Sequence, residues 1–532
     1  MRKLFISAIL LTCTLTMWGQ GVMDVLPALS GQVQGTARYS SMAGAFGALG
    51  GDLTTIKQNP AGIGVYRSSE ATVTAGFNFF NNTVETPSHV SKNNDFYFTG
   101  DNMGLVGVIN FRSGALRNLN FGFAYNNIAN FNNKFSADWS NIDQSLTQLI
   151  AGKTTAGGFA PSELSLHGIH NNPYNTNHLP WMSVLAYNTN LISISSNNTY
   201  AGIFGPSTRG NAYLDFYSSG AIDEYDFNIS GNVLDKLYWG LTINVTNINY
   251  RLESYYGEEL TNAHVADNSS SSIATSQTNG GYELRNLLHT DGYGAGVKLG
   301  VIYRPHPYVR IGLAFHSPTF YNLSDTYSAA VGYEFDKVNG SRLYGNMDNI
   351  DNQTDIGSIY YNLSTPCHYL ASIATVIGKL GMISFDYEYI DSKRTKYSGG
   401  YYSYQYENKM INEQLKGIHN IRTGLEIRVT PSFSLRAGYA YESAPMDQSY
   451  FNGITTPQLT ESTIAHYQVP ADAHNISCGL GYRINNFFID AAYVHRKQMY
   501  SIHPFEQNAS DYQFTTMDMR HNSIKATIGF RF

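Results

Sequence analysis

The sequence predicts an all-β protein, a transmembrane antiparallel β-barrel of about fourteen strands with an N-terminal hatch inside its lumen. Three observations predict it. The chain opens with an export signal and contains no later apolar run long enough for a membrane-spanning helix. Residues alternate with period two from Glu70 to the C-terminus. Short turns alternate with long polar connections along the chain.

Composition narrows the class of protein. The 532 residues include 34 Lys and Arg and 40 Asp and Glu, and only 14% of positions are charged, against roughly 25% in ordinary soluble domains. The net charge of −6 argues against nucleic acid as a partner. A soluble β-sandwich would also alternate with period two, but it would carry more surface charge and would rarely form one unit of this length.

The first twenty residues resemble a secretory signal peptide. Arg2 and Lys3 precede an apolar stretch from Leu4 to Leu11, and the polarity changes near Gln20. We therefore expect residues 1–20 to be removed on export, with cleavage near Gln20.

Period-two alternation defines the strands. One face of each predicted strand is apolar and the other is small or polar, so the apolar faces should point outward into lipid. The apolar faces include Leu119, Phe121, Phe123 and Tyr125; Tyr293, Ala295, Val297, Leu299, Val301 and Tyr303; and Ile524, Ala526, Ile528, Phe530 and Phe532.

The connections fix the strand count. Six short turns are predicted at 112–117, 232–236, 304–307, 378–381, 430–432 and 484–486, and long polar loops at 129–221, 252–291 and 443–473. Adding a first strand near 71–81 and a last strand near 521–532 gives about fourteen strands. This pattern indicates an integral protein of the bacterial outer membrane, with lipid around it, the barrel over residues 70–532 and its short turns in the periplasm. Barrel-assembly machinery is then a further partner, expected to recognise the aromatic last strand.

A barrel of this size needs a segment that plugs its lumen. Above about eight strands the interior is not filled by the side chains of the wall. Residues 21–69 precede the first strand, carry few charges and are rich in Gly and Ala, which permit close packing. We expect this segment to be the hatch, with Phe46, Asp52 and the turn Asn59-Pro60-Ala61 as its gating residues.

Several of these residues also match a known family. The Gly44-Ala45-Phe46 segment, the Asn59-Pro60-Ala61 turn, the Tyr303-Arg304-Pro305 turn with Arg310-Ile311-Gly312, and the aromatic C-terminus resemble the FadL/TodX family of outer-membrane transporters. The Asn- and Tyr-rich loops resemble those of Bacteroidetes members. The resemblance implies a barrel with its N-terminus folded inside.

The resemblance also implies a function. Members of this family passively take up hydrophobic small molecules such as long-chain fatty acids or aromatic hydrocarbons. The alternative is a barrel that does not transport and acts as a docking or scaffold partner in outer-membrane protein secretion or surface binding.

No motif indicates an enzyme. Gly152-Lys153-Thr154 resembles the end of a phosphate-binding loop, but Thr147 stands where the first glycine is required. His167 and His170 lie in a loop without a third ligand nearby. We therefore predict no catalytic residue, no cofactor and no metal. A disulfide between Cys367 and Cys478 stays open at this point.

One stretch of the 129–221 loop has helical spacing. Ile142, Leu146, Leu149 and Ile150 follow a candidate cap at Ser140 or Asn141. Two interpretations are open. The helix packs on the loop itself, or Ile142, Leu146 and Leu149 form an apolar lip that captures ligand.

Charged residues in the last strands should face the lumen. Arg422, Glu426, Arg428 and Arg436 alternate with apolar neighbours, as do Arg483, Asp490 and Arg531. An arginine facing lipid at mid-bilayer would cost about 2 to 4 kcal/mol. Two arrangements are open: these charges pair with each other across strands, or they hold the hatch with Asp52 as its acidic partner.

Overall fold

The computed structural model describes residues 21–29, 31–166, 172–176, 178–195, 199–266, 275–338, 340–378, 380–400, 403–455, 462–506 and 514–532. The predicted signal peptide, with Cys13, and the His167 and His170 pair lie outside these residues. Strands account for 61% of the structure. They are β1 (Glu70–Glu85), β2 (Val90–Asn110), β3 (Leu116–Asn130), β4 (Asn133–Trp139), β5 (Ile192–Ile194), β6 (Tyr200–Gly202), β7 (Arg209–Val233), β8 (Leu237–Ala266), β9 (Thr275–His306), β10 (Val309–His316), β11 (Phe320–Val338), β12 (Ser341–Gly345), β13 (Gly357–Ser364), β14 (His368–Ile377), β15 (Gly381–Ile390), β16 (Lys396–Ser398), β17 (Ile418–Arg428), β18 (Phe433–Glu442), β19 (Tyr467–Ile484), β20 (Phe487–His503) and β21 (Thr516–Arg531).

The helices are short and form no part of the barrel wall. They are α1 (Val22–Leu29), α2 (Ala37–Ser41), α3 (Thr55–Gln58), α4 (Leu146–Gly157), α5 (Pro161–Leu164), α6 (Trp181–Asn188), α7 (Gln405–Gln414) and α8 (Gln448–Phe451), with 3₁₀ turns at Pro60–Val65, Pro173–Asn175, Ile350–Asn352 and Ser392–Arg394. None of the helices in the described part of the chain is long and apolar enough to cross a membrane.

Hydrogen bonding joins the strands into a closed antiparallel barrel of fourteen strands within the described residues. Four of the fourteen consist of two consecutive segments: β3 with β4, β10 with β11, β13 with β14, and β15 with β16. The barrel closes where β1 pairs with β21, from Glu70 opposite Arg531 to Glu85 opposite Thr516. The backbone N–H of Phe532 extends this seam by donating to the carbonyl oxygen of Ser69 at 3.0 Å.

The predicted strand count and short turns are confirmed. Tight connections join β2 to β3, β7 to β8, β9 to β10, β14 to β15, β17 to β18, and β19 to β20. The outer face is also as predicted. Side chains such as Phe77, Phe121, Leu299 and Ile528 are more than a third exposed, whereas their neighbours in sequence face the lumen.

The prediction of a loop at 252–291 is wrong. This region is the continuation of β8 and β9, which are 30 and 32 residues long and stay paired from Leu237 opposite Tyr303 to Ala266 opposite Thr275. Crossing the bilayer needs only about 9 to 11 residues of strand. Both strands continue beyond the membrane, where the outer face is polar because it meets water.

The described cysteines do not form a disulfide. Cys367 and Cys478 are both free thiols, and Cys478 is exposed on the outer face of β19.

The topology gives a direct test. Epitope tags inserted at Asn175, in the loops, and at Pro305, next to a short turn, should be labelled and protected respectively in intact cells. Equal expression of both tagged chains is the control. Labelling of the Pro305 tag and protection of the Asn175 tag would reverse the orientation.

Candidate functional site

The N-terminal segment, residues 21–69, runs through the lumen and bonds to inward-facing side chains of the wall. Arg38 makes the charged contact. Its Nε donates to Glu426 Oε2 at 2.9 Å, and the same oxygen accepts from Arg436 Nε at 2.7 Å. Arg436 also pairs with Asp490 at 2.5 Å. These four residues form a buried alternating network in which each ion has a partner, as buried charges require.

Polar contacts continue around the wall. Asp386 of β15 accepts from the backbone N–H of Gly47 at 2.8 Å and from Gln58 Nε2 at 3.1 Å. On the opposite side Asn120 of β3 donates to the carbonyl oxygen of Ile63 at 2.6 Å. Thr527 of β21 accepts from the N–H of Ala37 at 2.7 Å. The segment is therefore held to several strands by hydrogen bonds that water could replace one at a time.

Glycines in the wall allow the Asn59-Pro60 turn to approach closely. A side chain at Gly300 of β9 would collide with the Asn59 side-chain oxygen, and one at Gly240 of β8 would collide with the backbone of Pro60. Larger residues at these positions would push the turn away from the wall.

The predicted gating residues are all buried in this segment. Phe46 packs with Tyr39 at a ring separation of 5.5 Å. Asn59 donates to the carbonyl oxygen of Gly47 at 2.6 Å and accepts from the N–H of Ala61 at 3.1 Å, which starts the 3₁₀ turn at Pro60. These bonds fix the shape of the turn.

Asp52 is not the partner of the lumen charges. It accepts from Thr36 Oγ1 at 2.8 Å and from the Thr54 N–H at 3.0 Å, so its bonds stay within the segment. The N-terminal segment instead supplies the cation of the ion pair, Arg38, and the wall supplies the carboxylate, Glu426. Arg38 could have been found as one of the few cations in a segment otherwise poor in charge.

Of the seven predicted lumen charges, four take part in buried ion pairs: Arg422, Glu426, Arg436 and Asp490. Arg422 pairs with Glu388 at 2.5 Å, and Arg436 and Glu426 belong to the network with Arg38. Arg428 is exposed, because it lies at the last residue of β17 beside a short turn. Arg483, also expected inside, is exposed for the same reason at the end of β19, whereas Arg531 pairs with Glu70 at 2.5 Å.

A cavity of about 970 Å³ lies between α1 and the loops. Its apolar lining comes from the N-terminal segment, the upper parts of the strands and the loops: Met23, Leu26, Leu29, Phe80, Phe131, Trp181, Phe216, Ile248, Leu252, Leu288, Leu323 and Leu363. Ligand sites are typically clefts of roughly 300 to 1,000 Å³ lined mainly by apolar side chains. The cavity is therefore large enough for a hydrophobic small molecule.

Few charges line this cavity among the described residues. Arg496 donates to Glu442 Oε1 at 3.2 Å and to the carbonyl oxygen of Gly31 at 3.0 Å. Asp24 of α1 accepts from the N–H of Gly21 at 2.6 Å. Burial raises the pKa of Asp24 to about 7, and the nearby Asp325 adds to the rise. The charged groups of the cavity wall thus lie at a few positions among the described residues.

The strand ladder is interrupted beside the cavity. β2 pairs with β3 only from Asn102 opposite Asn126 to Asn110 opposite Asn118. Toward the loop end of the barrel, residues 90–101 of β2 pair with β1, and β4 pairs with β7. No backbone ladder therefore joins β2 to β4 in the described residues. Side chains connect β4 to its neighbours here: Asn82 Nδ2 of β1 donates to Asn133 Oδ1 at 2.6 Å, and Ser91 Oγ of β2 donates to Asp138 Oδ2 at 3.3 Å. Asn133 also lines the cavity.

The predicted helix of the long loop exists, with a different start. α4 begins after Ser145, whose hydroxyl caps it, and Glu258 of β8 accepts from both Ser145 Oγ at 2.6 Å and the Leu146 N–H at 2.9 Å. The expected cap at Ser140 or Asn141 is therefore wrong, because Ser145 and Gln148 form a capping box at the start of the helix and Glu258 adds two further hydrogen bonds there.

The three residues of the proposed lip do not line the large cavity. Ile142 and Leu146 are buried in the apolar core of the loops, and Leu149 packs against that core. Their role in ligand capture stays a prediction, and their packing favours the interpretation in which the helix packs on the loop itself.

One group of side chains could hold a metal ion. His316, His368 and Glu388 face the lumen, and one ligand atom from each lies within 4.8 Å of the others. The residues are too far apart in the chain to form a recognisable motif. Only the register of β10, β14 and β15 brings them together.

Comparison with known proteins agrees with this architecture. A family model described as "Outer membrane protein transport protein (OMPP1/FadL/TodX)" matches residues 220–530, more than half of the chain. The chain belongs to the FadL/TodX family. It is thus an integral outer-membrane protein of a transport family. Comparison with curated proteins finds no match.

One solved structure shares the fold of this FadL/TodX family member, and two others that are similar to it are given for comparison. A Pseudomonas aeruginosa FadL homologue has 11% identity and a TM-score of 0.51, over 94% of this chain and 100% of the other. The Pseudomonas putida toluene transporter TodX has 11% identity and a TM-score of 0.48, over 94% and 99%. The Ralstonia pickettii toluene transporter TbuX has 14% identity and a TM-score of 0.44, over the same shares.

Proposed function

We propose that this protein takes up hydrophobic small molecules passively across the outer membrane. The cavity of about 970 Å³ carries the proposal, because it offers an apolar site between the loops and the N-terminal segment. Family membership supports the same function, and two of the similar structures are named as toluene transporters. The cavity volume also suits longer ligands such as fatty acids. Nothing in the geometry favours the docking or scaffold alternative.

The interruption between β2 and β4 supplies the exit that we propose. A ligand in the cavity contacts Asn133. The hydrogen bonds that connect β4 to β1 and β2 in the described residues involve side chains, such as Asn82 to Asn133 and Ser91 to Asp138. Breaking side-chain hydrogen bonds costs far less than breaking a ladder of backbone bonds. A hydrophobic molecule could then leave sideways into lipid, while the N-terminal segment keeps the axial path closed.

The remaining assignments follow from this function. Residues 1–20 act as the signal peptide, residues 21–69 as the hatch, and residues 70–532 as the barrel with its extracellular loops. The outward apolar side chains contact outer-membrane lipid, and the assembly machinery handles the last strand. We infer no catalytic activity, no cofactor and no nucleic-acid partner.

A cavity-filling variant tests the function. Leu288 of β9 lines the cavity, whereas its neighbour Leu287 does not. Leu288→Trp should weaken binding of the fluorescent probe N-phenyl-1-naphthylamine by about tenfold or more, because the added ring occupies the space that the ligand needs.

Leu287→Trp is the matched control, since it adds the same ring one position along the same strand. Binding is measured by fluorescence titration in detergent, with displacement by toluene and by laurate. If the wild-type protein binds neither the probe nor either competitor, or if both variants bind equally well, uptake through this cavity is wrong.

A further inference from the structure

The His316, His368 and Glu388 group lies where the barrel wall meets the hatch. His316 is the last residue of β10 and stands directly opposite His368, the first residue of β14. Glu388 lies on the adjoining strand β15. His316 Nε2 lies 2.8 Å from the carbonyl oxygen of Gln58, and Gln58 immediately precedes the Asn59-Pro60 turn.

We propose that His316, His368 and Glu388 bind one divalent transition-metal ion of the Zn²⁺ type, which ties the barrel wall to the hatch. Two imidazoles and one carboxylate are ligands that zinc and its neighbours in the first transition series prefer. Calcium and magnesium prefer oxygen ligands alone, so the two histidines argue against them. Three ligands from rigid strands leave a further coordination position, and Gln58 is the nearest part of the hatch to it.

The surroundings of Glu388 resemble those of a metal-binding carboxylate. Its Oε2 accepts from Arg422 Nη2 at 2.5 Å and from Asn420 Nδ2 at 3.2 Å, while its Oε1 lies 2.9 Å from His368 Nδ1. Hydrogen bonds of this kind orient ligands and tune their affinity for metal. Glu388 is buried, and each histidine is only partly exposed. The group is thus arranged before any ion binds.

The position of the group suggests what an ion would do. Both histidines adjoin breaks in their strands, at Ser317-Pro318-Thr319 and Thr365-Pro366-Cys367, where proline removes a backbone donor. An ion bound here would join β10, β14 and β15 at the level where two of the barrel strands are interrupted. It would also fix the start of the hatch turn.

Metal binding is tested on the full-length protein, purified without a histidine tag and stripped with EDTA. We expect about one Zn²⁺ per chain by elemental analysis, and Co²⁺ should give visible absorption bands typical of a site with imidazole ligands. His316→Gln and His368→Gln should each abolish stoichiometric binding. Asn420→Ala, which removes a hydrogen bond to Glu388, should lower affinity by roughly 10 to 100-fold.

His419→Gln and His474→Gln are the controls, because both histidines are exposed on the outer face and bond to tyrosines. Heat-modifiable migration on gels shows whether each variant is folded. X-ray absorption of the Zn²⁺-loaded wild type needs no variant and should show two imidazole ligands. Three results would overturn the proposal: the wild type binds neither Zn²⁺ nor Co²⁺, the ion has oxygen ligands alone, or folded His316→Gln and His368→Gln bind as the wild type does. These side chains would then have a hydrogen-bonding role only.

Discussion

Deleting residues 40–62 is expected to raise the single-channel conductance of the barrel in planar bilayers from near closure to that of an open pore. This stretch contains the buried Phe46, the Asn59-Pro60 turn and the contacts to Asp386, so its loss leaves a water-filled lumen. The wall should still close, because the strand ladders do not pass through the segment. The inward charges of the wall would then be hydrated instead of buried, which lowers the cost of leaving some unpaired.

Arg38→Met tests the effect of loosening the N-terminal segment without removing it. It keeps much of the side-chain volume and removes the ion pair with Glu426, so it should give brief openings and no permanently open pore. Heat-modifiable migration of both variants controls for folding. A folded deletion variant that conducts no better than wild type would show that this segment is not the plug.

Deleting Phe532 should reduce the amount of folded barrel in the outer membrane several-fold. The residue ends the outward apolar series of β21, and its backbone N–H extends the seam to Ser69. The loss should exceed the effect on stability of one exposed side chain, because the barrel has to close at this seam.

Phe487→Ala is the matched control for that deletion. Phe487 is also exposed on the outer face and packs against Phe530 at a ring separation of 4.6 Å, but it is the first residue of β20 and does not lie at the chain end. Folded protein is measured by heat-modifiable migration in membrane fractions. Equal yields for both variants would remove any special role of the terminal residue.

The barrel could be predicted because its determinants are local. Alternation at Leu119–Tyr125 or Ile524–Phe532 is set by the two environments of each strand, and each short turn has its own sequence signal. The length of β8 and β9 could not be predicted in the same way. Where both faces of a strand meet polar surroundings, the apolar alternation disappears and the sequence resembles a loop.

The site was only partly predictable, because its contacts join distant parts of the chain. The inward direction of Glu426 and Arg436 follows from strand parity, but Arg38 lies 388 residues before Glu426 in the chain. His316, His368 and Glu388 meet only through strand register. The start of α4 does have a local signal, the capping box of Ser145 and Gln148, whereas the added bond from Ser145 to Glu258 joins residues far apart in the chain.

The long strands have a consequence for where the protein meets its ligand. At about 3.3 Å per residue, the 32 residues of β9 extend roughly 100 Å along the strand, several times the path needed to cross the hydrocarbon layer. β7, β8 and β9 therefore extend the barrel wall beyond the membrane, and the apolar core of the loops lies above the lipid surface. Because the cavity lies between α1 and these loops, we expect hydrophobic solutes to enter it above the lipid surface and to move down from there toward the membrane.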